Sequence, residues 1–194
     1  MTRGRQTMND KKGKLIVISA PSGTGKGTVI GQLLKQRQEF AFSVSATTRP
    51  PRPGEADGVA YHFLTQDSFR EMISNDEFLE YAEYVGNYYG TPINPIKENI
   101  EKGITTILDI EVQGAKQVMA KMPEAITIFI VPPDMAELEN RLRGRGTDSE
   151  EKLRARLERA RLELEERSHY DHVVVNDTVS RAADEILKII DRKD

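Results

Sequence analysis

The stretch Leu15-Ile16-Val17-Ile18-Ser19-Ala20-Pro21-Ser22-Gly23-Thr24-Gly25-Lys26-Gly27-Thr28-Val29-Ile30 decides the fold. Its first four residues are a continuous apolar run, the pattern of a strand covered on both faces. Gly23 and Gly25 break that run. Beyond them Val29, Ile30, Leu33 and Leu34 recur at helical spacing, so the segment reads as strand, glycine-rich turn, helix. Glycines let backbone N–H groups turn inward at a helix N-terminus, where they make a nest for an anion. Lys26 adds a point charge beside it. A plain strand–helix turn with an exposed lysine explains each part singly, whereas strand, spacing, lysine and helix together point to a phosphate cradle.

Working outward, the same rhythm repeats. The runs at 104–110, 125–131 and 172–175 read as further strands, and Pro132-Pro133 stops the second of these. Ala182, Ile186, Ile189 and Ile190 mark a last helix, and 42–45 is a shorter strand candidate. Strands alternating with helices predict an α/β fold, a parallel sheet with helices on both faces. Two regions depart from this. Residues 47–99 hold five of the nine prolines and five of the six tyrosines and are expected to form an inserted lobe. Residues 138–156 begin an arginine- and glutamate-dense stretch, expected to be a lid. The core is then expected to comprise 15–46, 100–137 and 157–194, with 1–14 a flexible polar tail in which Met8 is a second candidate start. Thr147 and Glu150 have capping-box spacing, predicting a helix start ahead of the apolar stripe Leu153, Leu157, Ala160 and Leu164.

Length and composition bound the function. A chain of 194 residues suits one domain with a sizeable core. With 38% hydrophobic and 30% charged residues it is an ordinary globular balance, and a net charge of -3 excludes a globally basic nucleic-acid coat. The absence of cysteine excludes disulfides, thiolate metal sites and a cysteine nucleophile, and points to a reducing, cytoplasmic compartment. No apolar run is long enough to span a bilayer, and the start lacks the apolar stretch of a secretory signal.

The loop 20–28 resembles the Walker A motif G-x-x-x-x-G-K-[ST], which implies nucleoside-triphosphate binding by Ala20, Pro21, Ser22, Gly23, Thr24, Gly25, Lys26, Gly27 and Thr28. Ala20 replaces the first glycine. Gly27 stands where a metal-touching hydroxyl usually sits, with Thr28 one step later. Mg²⁺ tolerates this because it keeps several waters and phosphate oxygens as ligands. Further along, Ser45-Ala46-Thr47-Thr48-Arg49-Pro50-Pro51-Arg52-Pro53-Gly54-Glu55 is similar to the S-x-T-T-R-x-x-R-x-G-E stretch of guanylate kinases. So are Asp57-Gly58-Val59-Ala60-Tyr61-His62-Phe63, Gly86-Asn87-Tyr88-Tyr89-Gly90-Thr91, Ile107-Leu108-Asp109-Ile110-Glu111-Val112-Gln113-Gly114, Arg141-Leu142-Arg143-Gly144-Arg145-Gly146-Thr147 and Val174-Val175-Asn176-Asp177. They run in order over nearly the whole chain.

The resemblance implies a P-loop parallel sheet core with an inserted GMP-binding lobe and a lid, and transfer of the γ-phosphoryl group of ATP to GMP, and to dGMP, giving ADP and GDP in purine nucleotide metabolism. It implies Arg49 and Arg52 as forks for the GMP phosphate, with Tyr61 and Tyr89 adding hydroxyls. Glu80 matches the guanine-reading glutamate, since guanine presents adjacent N1–H and N2–H donors that a carboxylate accepts together. Ser45, Gly90, Thr91, Asp109, Glu111 and Arg156 complete the implied GMP set, and Glu111 stands where many relatives carry aspartate. Asp109, at the end of a buried run, and Thr28 are the protein groups expected near Mg²⁺. Arg141, Arg145 and Asn176 are implied ATP contacts, the arginines belonging to the lid. Phosphoryl transfer from ATP needs counter-charge and positioning more than a base, because the acceptor phosphate is already an oxyanion. Lys26, Arg49, Arg141, Arg145 and Arg156 are therefore the implied catalytic set, and His62, His169 and His172 are read as structural.

Blander readings stand beside these. Arg143, Arg154, Arg159, Arg161 and Arg167 are read as a solvated helix face held by i,i+4 pairs. Glu80 within Phe78-Leu79-Glu80-Tyr81 reads, by itself, as an exposed helix residue. Another nucleoside monophosphate kinase would share the loop without needing Glu80 or 45–52. A guanylate-kinase-like interaction module would lack a working phosphate loop. A nucleic-acid-binding NTPase fits poorly with the charge balance. Neither nucleic acid, membrane nor an obligatory protein partner is expected.

Overall fold

The computed structural model describes residues 12–144 and 149–192. Strand β1 (Leu15–Ser19) is buried along its whole length. It runs parallel to β7 (Thr106–Asp109) on one side and β8 (Ile126–Val131) on the other. With β2 (Ala41–Phe42) and β9 (His172–Val175) they form a five-stranded parallel sheet in the order β2-β7-β1-β8-β9. Alternate residues of β1 serve opposite faces. Ile16 and Ile18 pack with Val29, Ile30 and Leu33 of α1 (Lys26–Gln36) and Ala182, Ala183 and Ile186 of α7 (Val179–Ile190). Leu15 and Val17 pack with Val112, Ala115 and Val118 of α4 (Val112–Lys121) and Ile96 of α3 (Ile93–Glu101). Cover on both faces is why the strand reads as unbroken apolar sequence.

A second sheet of four strands has the order β4-β3-β6-β5, from β3 (Ala46–Thr47), β4 (His62–Phe63), β5 (Phe78–Tyr84) and β6 (Asn87–Pro92). Helix α2 (Gln66–Ser74) covers it, with Phe69 stacked on Phe78 at 4.2 Å between centroids. The pairing of β5 with β6 slips between Phe78 and Glu80, so Phe78, Leu79 and Glu80 are buried in succession. Near the C-terminal half, α5 (Met135–Gly144) and α6 (Glu150–Glu165) share a small core of Leu138, Leu142, Leu153 and Ala160.

Three sequence expectations change. The single strand expected at 42–45 is two short ones in different sheets: Ser43 N–H bonds Ile107 O at 2.9 Å on the parallel side, and Ser45 O accepts from His62 N–H at 2.8 Å in the second sheet. The cap of α6 is Ser149, whose hydroxyl accepts from Lys152 N–H, so the helix starts later than a Thr147 cap would put it; Thr147 itself lies outside the described residues. Gly13 and Lys14 are not a frayed tail. Gly13 N–H bonds Ile100 O at 2.8 Å, and Lys14 Nζ caps the end of α7 through Ile190 O and Arg192 O at 3.1 and 3.0 Å. Among the described residues no helix is long and apolar enough to cross a membrane.

Candidate active site

The loop after β1 turns on two glycines in the left-handed region, Gly23 at φ +93° and Gly25 at φ +95°. Thr24 closes the turn, its hydroxyl donating to Pro21 O at 2.7 Å. The carbonyl of Thr24 is held from across the fold: Asn176 Nδ2 donates to it at 2.8 Å and Arg141 Nη1 at 3.1 Å. Arg141 Nη2 also donates to Asn176 O at 2.9 Å, while its Nε is held by Glu137 at 2.8 Å. A Cβ on Gly25 would stand 2.8 Å from Asn176 Nδ2, so the clamp needs glycine there for space as well as for φ. Gly23, Gly25, Thr28, Arg141 and Asn176, with Asp177 and Val179, surround an open cavity of about 240 Å³. Asn176 Oδ1 is buried without a hydrogen-bond partner. Sequence reasoning passed over Asp177 and Val179 as lining, although both follow Asn176 within three residues.

Parallel pairing of β1 with β7 carries Asp109 to the loop, at the carboxyl ends of adjacent strands, where ligands of open α/β sheets bind. Lys26 Nζ lies 2.6 Å from Asp109 Oδ1 and donates to Ile110 O at 2.8 Å. The hydroxyl of Ser19 donates to the same Ile110 carbonyl at 3.0 Å. No group of three acidic, histidine or cysteine side chains suited to a metal occurs among the described residues. One partly exposed carboxylate beside the loop, and the exposed Thr28 in the first turn of α1, fit an ion held mainly by phosphate oxygens and water.

On the second sheet the Arg49 guanidinium grips both oxygens of Glu55 at 2.9 Å. It lies 5.4 Å from the ring centre of Tyr61, with the Tyr89 hydroxyl also beside it. Tyr61 and Tyr89 meet edge to face at 6.1 Å. Glu55 further accepts from Arg52 N–H at 2.7 Å, so one carboxylate fixes both arginine positions. The Arg49 hydrogen bonds, and then the Arg52 N–H, push the Glu55 carboxyl down to about 2. Sequence reasoning gave Glu55 no role, although it closes the quoted arginine stretch. Ser45 is partly buried, and its carbonyl is spent on the strand pairing with His62.

Glu80 is only 8% exposed and receives the Thr91 hydroxyl at 2.6 Å. Burial pushes its carboxyl up, and the Thr91 bond opposes that rise. Gly90 lies between, packed so tightly that a Cβ would meet Glu80 O and the Phe78 ring, each at 2.9 Å. Glu111, the residue ahead of α4, is exposed and pairs with Arg159 at 3.3 Å, while Arg159 also binds Glu163. Arg159 is therefore more than a solvated face: it ties α6 to the start of α4. Arg156 Nη2 donates to Ser22 Oγ at 2.7 Å, joining α6 to the loop. Arg145 lies outside the described residues. His169 pairs with Glu166 at 3.0 Å, consistent with a structural role.

A parallel α/β sheet with a glycine-rich loop, its lysine and a strand-end aspartate defines the class of P-loop nucleotide-binding proteins. Comparison with known proteins narrows this class. The family model described as guanylate kinase matches residues 12–193. A guanylate kinase of Trichodesmium erythraeum is 54% identical over 178 residues, covering 92% of this chain and 96% of that protein. One of Lactococcus lactis is 52% identical over 181 residues, covering 93% of this chain and 88% of that protein. The crystal structure of guanylate kinase from Anaplasma phagocytophilum superposes with a TM-score of 0.72 at 37% identity, covering 93% of this chain and 86% of that one. The chain belongs to the guanylate kinase family.

Proposed function

We propose that ATP lies on the loop 20–28 and GMP against the second sheet, and that the γ-phosphoryl group passes directly from one to the other. ATP-dependent phosphorylation of GMP follows from membership of the family over almost the full chain. The observation that carries the assignment of the base is Glu80, a buried carboxylate that receives the Thr91 hydroxyl, on the sheet that bears Tyr89 and beside which Arg49 and Tyr61 lie. A carboxylate so placed accepts N1–H and N2–H of guanine together. Adenine lacks that donor pair and would leave the buried charge unmatched.

In the reaction an oxygen of the GMP phosphate attacks the γ-phosphorus, and the bond to the β,γ-bridging oxygen breaks, leaving ADP and GDP. No proton need be removed from the attacking oxygen. Lys26 and Arg141 are assigned to the ATP phosphates, and Arg49, Arg52, Tyr61 and Tyr89 to the GMP phosphate. Arg156, bonded to the loop through Ser22, and Arg145 are assigned to the group in transfer. Ser45, Gly90, Thr91, Asp109 and Glu111 complete the GMP side, and Asn176 shapes the ATP side through Thr24. Mg²⁺, when bound, supplies charge neutralisation on the phosphate oxygens, and Thr28 and Asp109 are the groups that would hold it or its waters. The segments 47–99 and 138–156 are assigned as GMP lobe and lid, closing over the core to exclude water. dGMP, which carries the same base and phosphate, is proposed as a second acceptor. The reading requires neither nucleic acid, membrane nor a protein partner, and it places the protein in the cytoplasm, where both substrates occur.

The test is a coupled assay of ADP release with magnesium, ATP and each of GMP, AMP, UMP and CMP. GMP is expected to exceed AMP by about 10⁴-fold in kcat/KM, the scale set by buried polar discrimination. Comparable turnover of AMP, or ADP release with none of the four, refutes the reading.

A further inference from the structure

Helix α4 meets strand β5 along one stripe. Gly114, Gln117 and Lys121 are spaced three and four residues apart, so they share a face. Lys121 Nζ donates to Phe78 O at 2.8 Å. Gln117 takes both backbone groups of Tyr81, accepting from its N–H at 3.2 Å and donating to its carbonyl at 3.0 Å. These anchors bracket Glu80. At Glu80 the helix presents Gly114, where an added Cβ would lie 2.8 Å from Oε2 and 3.2 Å from Cδ of the carboxylate. Glycine is a poor helix former, and Gly114 does not have the positive φ that would call for it on backbone grounds. Its missing side chain is explained by the space that the Glu80 carboxylate fills.

We infer that Gly114 is a specificity-determining residue for the acceptor base, and that Gln117 is a positioning residue that holds the register of β5 so that Glu80 reaches it. The inference rests on Glu80 reading guanine, and extends that role to a helix of the core sheet. Any side chain at 114 displaces the carboxylate from the position in which it accepts two donors at once. Removal of Gln117 frees the strand edge next to Glu80. Neither residue needs to touch a nucleotide.

The experiment compares Gly114→Ala, Gln117→Ala, Glu80→Gln, Glu80→Asp and the pair Gly114→Ala with Glu80→Asp. Readouts are KM for GMP, KM for ATP, the GMP-to-AMP ratio of kcat/KM, and Tm. For Gly114→Ala the expected result is a rise in GMP KM of about tenfold or more, the size of losing one hydrogen bond between the displaced carboxylate and the base. The GMP-to-AMP ratio falls with it, while ATP KM stays within about twofold and Tm is unchanged or higher. Gln117→Ala moves the same way by less. In the paired variant the shorter Asp makes room for the methyl group, so the loss is smaller than the two single losses combined. An unchanged GMP KM in both Gly114→Ala and Gln117→Ala overturns the inference, as does a parallel rise of both KM values with a fall in Tm, or simple additivity in the pair. If Gly114→Ala does not fold, the result for Gln117→Ala decides. Glu80→Gln separates the two levels: retained preference for GMP there refutes the base reading itself, while lost preference there with normal Gly114 and Gln117 variants refutes only this inference.

Discussion

Replacing Thr91 by Val removes one oxygen and nearly keeps the shape. Thr91 is fully buried, and its hydroxyl is the one side-chain donor to Glu80 among the described residues, at 2.6 Å. A hydrogen bond to a charged acceptor contributes about 1.5–3 kcal/mol, and each 1.4 kcal/mol is about tenfold in an equilibrium. The variant is therefore expected to bind GMP roughly 10- to 100-fold more weakly near neutral pH. The lost bond no longer holds the carboxylate in place, and its loss also shifts the protonation. Burial already pushes the Glu80 carboxyl up, and Thr91 is what opposes that rise. Without it the carboxyl stays neutral to a higher pH, and a neutral carboxyl cannot accept N1–H and N2–H together.

The sign of the pH effect follows. A carboxyl raised above its ordinary range ionises as pH increases, so the defect of Thr91→Val is largest on the acid side and shrinks toward alkaline pH. The assay is kcat/KM for GMP at saturating ATP, in wild type and variant, from mildly acidic to mildly alkaline pH. KM for ATP is the internal control, and Thr91→Ser, which keeps the hydroxyl, should retain most of the activity. A variant-to-wild-type ratio that stays flat with pH, or lies within about twofold of unity throughout, refutes the role given to this hydrogen bond.

Two further predictions concern stability. Because the carboxyl of Glu80 is raised in the folded chain, its stabilising contribution is present below the ordinary carboxyl value of 4.5 and is lost as pH rises through the raised value. Glu80→Gln, assayed without nucleotide, should therefore have a higher Tm than wild type at neutral pH, with the gap closing in acid; thermal melts against pH check this, and a lower Tm at neutral pH contradicts it. Gly25→Ala meets a φ of +95° and Asn176 Nδ2 at 2.8 Å. Left-handed backbone costs about 1–2 kcal/mol and an overpacked methyl about 1–3 kcal/mol. At about 2–4 °C per kcal/mol a Tm fall of several degrees should accompany a raised KM for ATP, and wild-type values of both would remove the clamp from the account.

Whatever depends on continuous burial was legible in the sequence. The runs that form β1, β7 and β8 announce themselves because helices cover both faces, and the glycine–lysine loop announces itself by its place between strand and helix. Elements fixed by distant partners were not legible locally. β2 and β3 are two residues each and exist only because β7 and β6 lie beside them. The start of α6 was not legible either, because Thr147 with Glu150 has capping-box spacing, whereas Ser149, the cap in the structure, has Lys152 three residues on. Glu80 was legible only through family resemblance, since Phe78-Leu79-Glu80-Tyr81 alone reads as helix with an exposed acid. In the fold it is a strand whose slipped pairing buries three successive residues, and the contacts that justify a buried acid come from Thr91 and Gly114. The contact of Asn176 with Thr24 spans 152 residues and leaves no local trace.

Three of the cations proposed to face phosphates are held in the same way. Lys26 is paired with Asp109 at 2.6 Å, Arg49 with Glu55 at 2.9 Å and Arg141 with Glu137 at 2.8 Å. These pairs are partly exposed, and such pairs contribute about 0–1 kcal/mol to stability, so stability is a weak explanation for all three. Orientation is a better one. A long basic side chain in water samples many rotamers, and a phosphate that had to order it would bind more weakly by that entropy. A carboxylate that grips one side of a guanidinium fixes its plane: Arg49 spends three N–H groups on Glu55 and Pro50 O, with the Tyr89 hydroxyl also beside it. On the proposed function the acids hold charge in position for a group in transfer that carries negative charge on all its outer oxygens. Each acid also offsets the charge of the cation that it holds, which links the acidic residues of this chain to the proposed chemistry as closely as the basic ones.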